Sequence, residues 1–315
     1  MSARVTVAVP VYNGARFLAR TLESLLAQEH DAFDVVVIDD QSTDDSAAIA
    51  QSAGVRVVRN EVRLGLAGNW NAAFALAETP LLVIAHQDDV YEPRFLATTE
   101  RLLDTHPRAF IAHTRALYID EHERPAENAA SRYKDRFWPA DEPYEREPDA
   151  ELRVLQGGNY IICPAVMYRM SAVAKIGAFN ERYRFVPDWE YWLRGLLAGF
   201  TIAGTHERLL RWRRHDESAT RQEEATLRRY DEELELLERL SRMAGLPRSV
   251  SLVENTLLSE FAARLARGDR AGAAALRDYA RGRLRRAHAI MRLGMIGGRA
   301  AGHALKLAES LYTRL

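Results

Sequence analysis

Cysteine is nearly absent from this chain of 315 residues, since its single cysteine, Cys163, cannot form an internal disulfide bond. Cys163 precedes Pro164 in an apolar stretch, which favours a buried thiol over a nucleophile. No apolar run reaches the roughly 18 residues of a membrane-spanning helix, and Pro10 interrupts the first apolar run too early for a signal peptide. These absences exclude a disulfide scaffold and predict a protein that stays in the reducing cytosol.

Net charge is also nearly absent, at −1, but the charges are unevenly distributed. Residues 264–315 hold twelve Lys or Arg against three Asp or Glu, which leaves 31 against 41 in residues 1–263. Arginines between residues 281 and 299 surround Ile290 and Leu293, a pattern typical of a basic amphipathic surface that contacts an anionic membrane. A helix face that packs on the rest of the chain or on a partner subunit is the alternative. No base-stacking or groove-reading elements accompany the basic tail, so nucleic acid is not predicted as a partner.

Short apolar runs alternate with helical patterns through the first hundred residues. The runs lie at residues 5–9, 35–38, 55–59 and 81–84. Continuous β-branched runs are typical of strands buried on both faces of a parallel sheet, and their alternation with helices predicts an α/β fold with right-handed crossovers. From residue 226 onward the apolar spacing is helical. We therefore expect an α/β domain over residues 1–220 and a helical region over residues 221–315.

Polar side chains follow the end of each of these predicted strands. They are Tyr12, Asn13, Asp39, Asp40, Arg63, Asp88 and Asp89. Ligands of open α/β sheets bind outside the carboxyl ends of the strands, so we expect these loops to line one crevice. The first loop lacks the Gly-x-Gly-x-x-Gly turn of a dinucleotide fold, which disfavours a hydride-transfer enzyme.

The adjacent carboxylates of Asp88 and Asp89 predict a metal site. Two neighbouring carboxylates repel each other, and a divalent cation such as Mg²⁺ or Mn²⁺ relieves this repulsion by binding their oxygens. The same cation can carry phosphate oxygens on its open positions. The pair therefore predicts a metal–diphosphate site, and an Asp-Asp turn that caps the next helix is the simpler alternative.

Four motifs follow one another in fixed order and spacing over about ninety residues. They are Val-Ala-Val-Pro-Val-Tyr-Asn-Gly (7–14), Val-Ile-Asp-Asp-Gln-Ser-Thr-Asp (37–44), Asn-x-x-x-Leu-Gly-Leu-Ala (60–67) and Gln-Asp-Asp (87–89). Together they resemble the nucleotide-binding half of a family 2 glycosyltransferase of GT-A fold. The resemblance implies a mainly parallel, twisted sheet flanked by helices, with a nucleotide-binding half over residues 1–105 and an acceptor half over residues 106–220. The family pattern is often Asp-x-Asp-Asp, and His86 replaces its first aspartate here.

The resemblance also implies roles for individual residues. The implied nucleotide-binding positions are Pro10, Tyr12, Asn13, Asp39, Asp40, Arg63 and Gln87, and the implied metal-binding positions are Asp88, Asp89 and His215. Asp40 matches the position that accepts a hydrogen bond from the base. A carboxylate suits the imide N–H of uracil or thymine, which favours a UDP- or dTDP-sugar as donor. Turn and cap roles for Asp39 and Asp40, and a surface role for Arg63, are the alternatives.

Asp188 is the candidate for the catalytic base. Asp188 and Glu190 point about 200° apart on their predicted helix, and Glu190 has an i+4 ion-pair partner in Arg194, expected on the surface. Asp188 matches the aspartate of the family's Glu-Asp motif, although Pro187 replaces the preceding acid. A carboxylate there can take the proton of an acceptor hydroxyl as it attacks the anomeric carbon, and one such displacement inverts that carbon. A plain helix cap is the alternative.

The remaining segments complete the predicted acceptor half. Strands are predicted at residues 109–118, 161–168, 201–204 and 209–212, with a long polar excursion over residues 120–149 that we interpret as a flap beside the acceptor. The stretch from Arg213 through His215 to Ser218 resembles the family's Arg-x-His-x-x-Ser closing loop, in which histidine can ligate the metal. A solvated loop histidine is the alternative.

The sequence thus predicts a glycosyltransferase that uses a divalent metal, Mn²⁺ or Mg²⁺, and inverts the transferred sugar. Its donor is a nucleotide-diphosphate sugar and its acceptor a saccharide or lipid-linked hydroxyl, in surface polysaccharide or glycolipid synthesis. The expected location is cytoplasmic, with peripheral contact at the inner membrane face as a further hypothesis. Two alternatives stay open. A sugar-phosphate nucleotidylyltransferase is expected to carry a Gly-rich, Arg-containing loop after the first strand, and a non-catalytic nucleotide-sugar binding protein is expected to tolerate Asp188→Asn.

Overall fold

The computed structural model describes residues 3–127, 134–215, 226–247 and 249–296. The chain forms two compact units. The first comprises Met1–Leu155 and Asn159–Gln222, and the second comprises Gln156–Gly158 and Glu223–Leu315.

A mixed sheet forms the centre of the first unit. Its strands are β1 (Val5–Val11), β2 (Phe33–Asp39), β3 (Arg56–Arg59), β4 (Leu81–Ile84), β5 (Val90–Tyr91), β6 (Ala109–Ile119), β7 (Tyr144–Arg146), β8 (Val166–Arg169) and β9 (Thr201–Arg213). Their order is β3-β2-β1-β4-β8-β6-β9-β5, and β7 pairs with β9 beside this path. The helices of this unit are α1 (Ala15–Leu26), α2 (Ser46–Ser52), α3 (Gly65–Leu76), α4 (Phe95–Thr105), α5 (Pro148–Gln156), α6 (Met170–Ile176) and α7 (Pro187–Leu197). The predicted α/β fold with a central sheet is confirmed.

The first four strands form a parallel set whose ends meet at one edge of the sheet. Val11 pairs with Asp39, and Asp39 pairs in turn with Arg59, so β1, β2 and β3 end side by side. Ile84, the last residue of β4, pairs with Ala8 on the other side of β1. Strand β1 is buried along almost its whole length because neighbouring elements cover it, as its continuous apolar run predicts. The four polar loops therefore leave the sheet at the same edge.

The other half of the sheet is mixed, and the sheet as a whole is mainly parallel, as expected, because β6 also pairs in parallel with β9 along most of its length. Strand β8 runs antiparallel to β4 and β6, and β5 and β7 run antiparallel to β9. A short apolar run is buried equally well in either direction, so composition does not reveal strand direction. The strand predicted at residues 161–168 is shorter, because Pro164 lacks an N–H donor and a 3₁₀ turn occupies Cys163–Ala165. The two strands predicted between residues 201 and 212 are one strand, β9, with irregular register between Thr205 and Leu210.

Helix α7 carries Asp188 and packs tightly against the sheet. A Cβ atom at Gly195 would overlap the ring of Phe110 on β6, so the absence of a side chain there permits the close approach. Large aromatic side chains fill the surrounding core, including Tyr168, Tyr191 and Trp192, each fully buried. This packing fixes α7 relative to the sheet.

The second unit is helical in its described part. Its helices are α8 (Arg228–Ala244), α9 (Ser251–Ala266), α10 (Arg270–Ala280) and α11 (Arg285–Ile296). Gly245 ends α8 in the left-handed conformation, with φ of 64°. Leu284, Ala287 and Met291 are buried inside this unit. No helix in the described ranges is both long enough and apolar enough to cross a membrane. Arg299, which the basic-tail hypothesis includes, lies outside the described residues.

Candidate active site

The carboxylate of Asp40 organises the loop that follows β3. Asp40 is buried, and its Oδ1 accepts hydrogen bonds from Leu64 N at 2.7 Å and Asn60 Nδ2 at 2.8 Å. Its Oδ2 accepts one from Gly65 N at 2.9 Å, and Gly65 adopts a φ of 77° that suits glycine. Three of the roughly four acceptor positions of the carboxylate are therefore filled, which leaves one on Oδ2 for a ligand.

Asp39, in contrast, uses both oxygens in contacts within the protein. It is fully buried; Oδ1 accepts a hydrogen bond from Ser42 N at 2.9 Å, and Oδ2 forms an ion pair with Arg59 Nη1 at 2.8 Å. These contacts brace the segment that follows β2. They also connect the ends of β2 and β3.

The loop after β1 contacts the loops on both sides. Asn13 has a φ of 48°, donates its N–H to Ser42 Oγ at 3.0 Å and accepts at Oδ1 from Thr43 N at 2.8 Å. The guanidinium of Arg63 lies 3.6 Å from the centre of the Tyr12 ring, a cation–π contact. Tyr12, Asn13 and Arg63 thus lie together, and Pro10 is partly buried beside them in the sequence at the end of β1.

Gln87 joins the first loop to the fourth. Its Oε1 accepts a hydrogen bond from Tyr12 N at 2.9 Å, and its Nε2 donates to Tyr12 O at 3.3 Å. A Cβ atom at Gly14 would overlap this amide group, so glycine is needed there. The structure therefore uses Gln87 to hold two loops together, a contact that its place in the Gln-Asp-Asp motif did not reveal.

Asp88 and His215 are brought together from residues far apart in the chain. Asp88 Oδ2 lies 2.7 Å from His215 Nε2. The His215 side chain is buried except for 8% of its surface, and its ring lies 4.9 Å from that of Phe17 on α1. The two residues predicted to share a metal thus face each other directly. Ser218, the last residue of the same motif, lies outside the described residues.

Asp89 is fully buried next to this pair. Its Oδ1 accepts a hydrogen bond from Arg213 N at 2.8 Å, and its Oδ2 has no hydrogen-bond partner within the described part of the chain. Burial, and then the negative charge of Asp88, raise the pKa of Asp89 well above its usual range. A buried oxygen without a partner, beside a second carboxylate, is the environment that a bound cation relieves.

His86 completes a cluster that fits a divalent cation. One ligand atom from each of His86, Asp88 and Asp89 lies within 4.8 Å of the others. The ring of His86 stacks on Trp70 at 5.6 Å, and burial lowers the pKa of His86, so the imidazole is neutral at pH 7. Carboxylate oxygens suit Mg²⁺ and Mn²⁺, and the neutral imidazole could add a nitrogen ligand.

Arg213 fixes the main chain of the Asp88–Asp89 loop, a role that the sequence did not predict. Its Nε donates to Asp88 O at 2.7 Å, and its Nη1 donates to Asp120 O at 3.2 Å. Thr21 supports the same loop by donating its hydroxyl to Asp89 O at 2.8 Å. The Arg-x-His motif placed Arg213 near the site, but the guanidinium turns into the protein, where only 3% of the residue is exposed.

Asp188 is partly buried at the start of α7. Its Oδ2 accepts a hydrogen bond from Asn159 Nδ2 at 2.9 Å, and its Oδ1 accepts one from Trp189 N at 2.7 Å. Burial raises the pKa of Asp188, while the positive charge of Lys134 and these hydrogen bonds oppose that shift. Glu190 forms its predicted ion pair with Arg194 at 2.9 Å, but Glu190 is buried, which corrects the expected surface pair.

Cys163 lies near both the candidate base Asp188 and the buried Asp89. Its thiol is buried and lies within electrostatic range of both Asp188 and Asp89. Burial raises the pKa of the Cys163 thiol well above its usual range, so the thiol stays protonated and unreactive. Asp188 and Asp89 therefore both lie near one inert residue.

The sheet and its carboxylate-lined edge define the class of protein, an α/β enzyme of GT-A type. Two solved structures share this fold. Residues 1–349 of Staphylococcus aureus TarS in complex with UDP-GlcNAc match with a TM-score of 0.61 and 15% identity over 98% of this chain and 90% of that one. The mannosyltransferase PcManGT of Pyrobaculum calidifontis, in complex with GDP-Man and Mn²⁺, matches with a TM-score of 0.56 and 17% identity over 97% and 88%.

The model of the family described as glycosyl transferase family 2 matches residues 6–177, more than half of the chain, so this protein belongs to that family. An uncharacterised protein of Mycobacterium tuberculosis is 32% identical over 217 residues, 67% of each chain. The succinoglycan biosynthesis protein ExoU of Rhizobium meliloti is 32% identical over 204 residues, 62% of this chain and 57% of ExoU. The matched region spans about two thirds or less of these relatives. The predicted family is confirmed, and the roles of single residues stay predictions.

Asp40→Asn tests whether this carboxylate holds the loop after β3. The amide nitrogen of the asparagine would face backbone N–H donors that now bond to a carboxylate, so we expect the free energy of unfolding to fall by about 2–3 kcal/mol. Chemical denaturation measures this change. Asp45→Asn is the matched control, because Asp45 lies after Asp40 in the segment between β2 and α2, is exposed and makes no helix-cap bond. This substitution should change the free energy of unfolding by less than about 0.5 kcal/mol. Equal effects of the two substitutions would contradict the assigned role of Asp40.

Proposed function

We propose that this protein transfers a sugar from a nucleoside-diphosphate sugar to an acceptor hydroxyl, with a divalent metal and with inversion of the anomeric carbon. The observation that carries the proposal is the cluster of His86, Asp88 and Asp89, with His215 beside Asp88, at the edge of the sheet where the four polar loops meet. The buried Asp89 oxygen, which has no hydrogen-bond partner among the described residues, supports a cation at this place. Membership of the family favours sugar transfer over nucleotidylyl transfer.

The nucleoside is proposed to bind between Tyr12, Arg63 and Asp40. The remaining acceptor position on Asp40 Oδ2 suits the imide N–H of uracil or thymine, so a UDP- or dTDP-sugar is the proposed donor. The structure of TarS with UDP-GlcNAc and that of the Pyrobaculum enzyme with GDP-Man support nucleotide sugars as the class of donor. The guanidinium of Arg63, already over the Tyr12 ring, can contact base or phosphate by a small rotation of its long side chain.

Asp88 and Asp89 are proposed to hold the metal, with His215 as an additional ligand. When bound, the cation supplies positive charge that stabilises the departing diphosphate. The chain's own contribution is to fix both carboxylates, since Arg213 and Thr21 hold the main chain of their loop. Because Asp89 is buried and next to Asp88, its ionised form depends on a nearby positive charge.

Asp188 is proposed to act as the base. The acceptor oxygen forms a bond to the anomeric carbon while the bond from that carbon to the phosphate oxygen breaks, and the acceptor proton passes to the Asp188 carboxylate. A single displacement of this kind inverts the anomeric carbon. The raised pKa of Asp188 makes its carboxylate a stronger proton acceptor than an exposed aspartate, provided that it stays ionised at the working pH.

The acceptor and its location are proposed from the relatives and from the charge of the tail. ExoU is named for succinoglycan biosynthesis, which supports a saccharide or lipid-linked acceptor in polysaccharide assembly. The basic segment after residue 264 is proposed to contact anionic lipid at the inner face of the membrane. Since Ala287 and Met291 are buried in the second unit, the exposed arginines of α11 are the proposed contacts.

The transfer assay tests the function directly. The protein is incubated with Mn²⁺, a UDP-, dTDP- or GDP-sugar and a panel of saccharide acceptors, and released nucleoside diphosphate and product are measured. Asp188→Asn should lower transfer by about 10²–10⁴-fold because the proton acceptor is lost. In the wild type, activity should fall with decreasing pH through the pKa of Asp188, which lies above the ordinary aspartate value of about 3.9. The exposed-site control Asp45→Asn should keep full activity.

Two results of this assay would contradict the proposal. An Asp188→Asn protein with unchanged transfer would exclude Asp188 as the base and favour a non-catalytic role for that residue. A product that retains the anomeric configuration of the donor, seen in the proton–proton coupling of the anomeric signal, would exclude a single displacement.

The membrane contact is tested with three exposed arginines of α11. Replacing Arg285, Arg286 and Arg292 by Gln should weaken sedimentation with phosphatidylserine vesicles by roughly 100-fold, at about 1 kcal/mol for each charge. The charge-matched control replaces three exposed arginines of the first unit, Arg56, Arg94 and Arg101. If both triple variants bind these vesicles as the wild type does, the basic tail is not a lipid-binding surface.

A further inference from the structure

Asn159 directs its side-chain donor at the candidate base. Its Nδ2 donates to Asp188 Oδ2 at 2.9 Å, while its Oδ1 is buried without a hydrogen-bond partner among residues that the structure describes. Asn71, elsewhere in the same unit, fixes the main chain of a loop through its side-chain amide. Its Oδ1 accepts from Phe179 N at 2.8 Å and its Nδ2 donates to Phe179 O at 3.1 Å, so both ends of that amide are satisfied. The contact of Asn159 with Asp188 therefore calls for an explanation other than loop fastening.

The main chain of Asn159 is held by Lys134 and through its neighbour Tyr160. Lys134 Nζ donates to Asn159 O at 2.6 Å. The hydroxyl of Tyr160, a buried residue, lies 3.0 Å from that of Tyr144, and the Tyr144 hydroxyl lies 2.6 Å from His113 Nε2. Burial lowers the pKa of His113 to about 3, so this network carries no histidine charge at neutral pH. A fixed backbone at Asn159 gives its side chain a fixed direction.

We propose that Asn159 is a positioning residue, which fixes the orientation of the Asp188 carboxylate for proton transfer from the acceptor, and that Lys134 fixes Asn159. This inference rests on the proposed function, in which Asp188 is the base. An amide N–H bonded to one carboxylate oxygen restricts rotation of the carboxyl group, and a general base depends on its geometry before its pKa. The sequence alone does not connect Asn159 with Asp188, because 29 residues separate them along the chain. The fold brings the two side chains into contact.

The groups around Asp188 determine the sign of the expected pKa change. Burial raises the pKa of Asp188, whereas the charge of Lys134 and the hydrogen bonds from Asn159 and Trp189 N lower it. Cys163 and Tyr168 also lie within electrostatic range, but burial raises the pKa of both, so they stay neutral at working pH. Removing the Asn159 donor takes away a bond to the ionised carboxylate and must raise the pKa of Asp188 further.

The first measurement is a carbon-13 NMR titration of the full chain labelled at the aspartate carboxyl carbons. The Asp188 signal is identified by its loss in Asp188→Asn. Asn159→Ala should raise the pKa of Asp188 by about one unit, a typical effect of one lost hydrogen bond to a carboxylate. Asn71→Ala, which removes an amide of the same size, should leave it unchanged. Asn159→Ser keeps a short hydroxyl donor and should give an intermediate value, which also covers the case that the alanine variant does not fold.

The second measurement is a double-mutant cycle on sugar transfer. Asn159→Ala should lower kcat by about tenfold to a hundredfold, leave the KM of the donor unchanged and move the acidic limb of the pH profile upward. In the Asp188→Asn background the same substitution should have no further effect, since no base remains to be positioned.

The outcomes separate this inference from the proposed function. Additive effects in the cycle, or an Asp188 pKa that is the same in Asn159→Ala and in the wild type, would overturn the positioning role while an inactive Asp188→Asn enzyme still supports the base. A fully active Asp188→Asn enzyme would overturn the base itself and the positioning role with it.

Discussion

The repulsion between two adjacent carboxylates at the end of β4 is the constraint on which the rest of the site depends. Asp88 and Asp89 are neighbours in the chain and Asp89 is fully buried, so both carboxylates ionise together only when a nearby positive charge offsets their repulsion. Arg213 and Thr21 fix the main chain of the pair, and His215 meets Asp88 from the end of β9. The long, irregular strand β9 brings Arg213 and His215 to this place, across more than a hundred residues of sequence. In the proposed function, a divalent cation relieves this repulsion and makes the arrangement a binding site.

The polar loops have a structural role as well as a proposed ligand role. Asp39 turns inward completely, Asp40 has one acceptor position left, and Gln87 joins two loops through the backbone of Tyr12. These contacts are made within the chain itself, which favours a pre-organised crevice. Pre-organised groups lose little freedom when a ligand binds, which would be an advantage for the flexible nucleotide sugar proposed as donor.

The sequence predicts the parallel half of the fold well, because β-branched runs and the polar residues after them have a direct physical cause. Strands such as Val5–Val11 are buried on both faces, and the residues that follow them lie at one edge. The direction of β8 and the continuity of β9 were not predictable, since a short apolar run does not indicate which strand it pairs with or in which direction. The same limit applies to the site. Motifs located Asp88 and His215, whereas the roles of Arg213 and Asn159 depend on where a side chain turns after distant segments meet.

The most direct test of this account is the binding of nucleoside diphosphates, with and without Mn²⁺, to the wild type and to Asp88→Ala, followed by thermal unfolding. A ligand at a hundredfold excess over its Kd stabilises the native state by about 2.7 kcal/mol, which is readily measured. The account predicts that UDP or dTDP stabilises the wild type only when Mn²⁺ is present, and that Asp88→Ala loses this effect. Metal-independent stabilisation, or the same metal-dependent stabilisation in Asp88→Ala, would contradict the claim that the carboxylate pair at the end of β4 is a metal–diphosphate site.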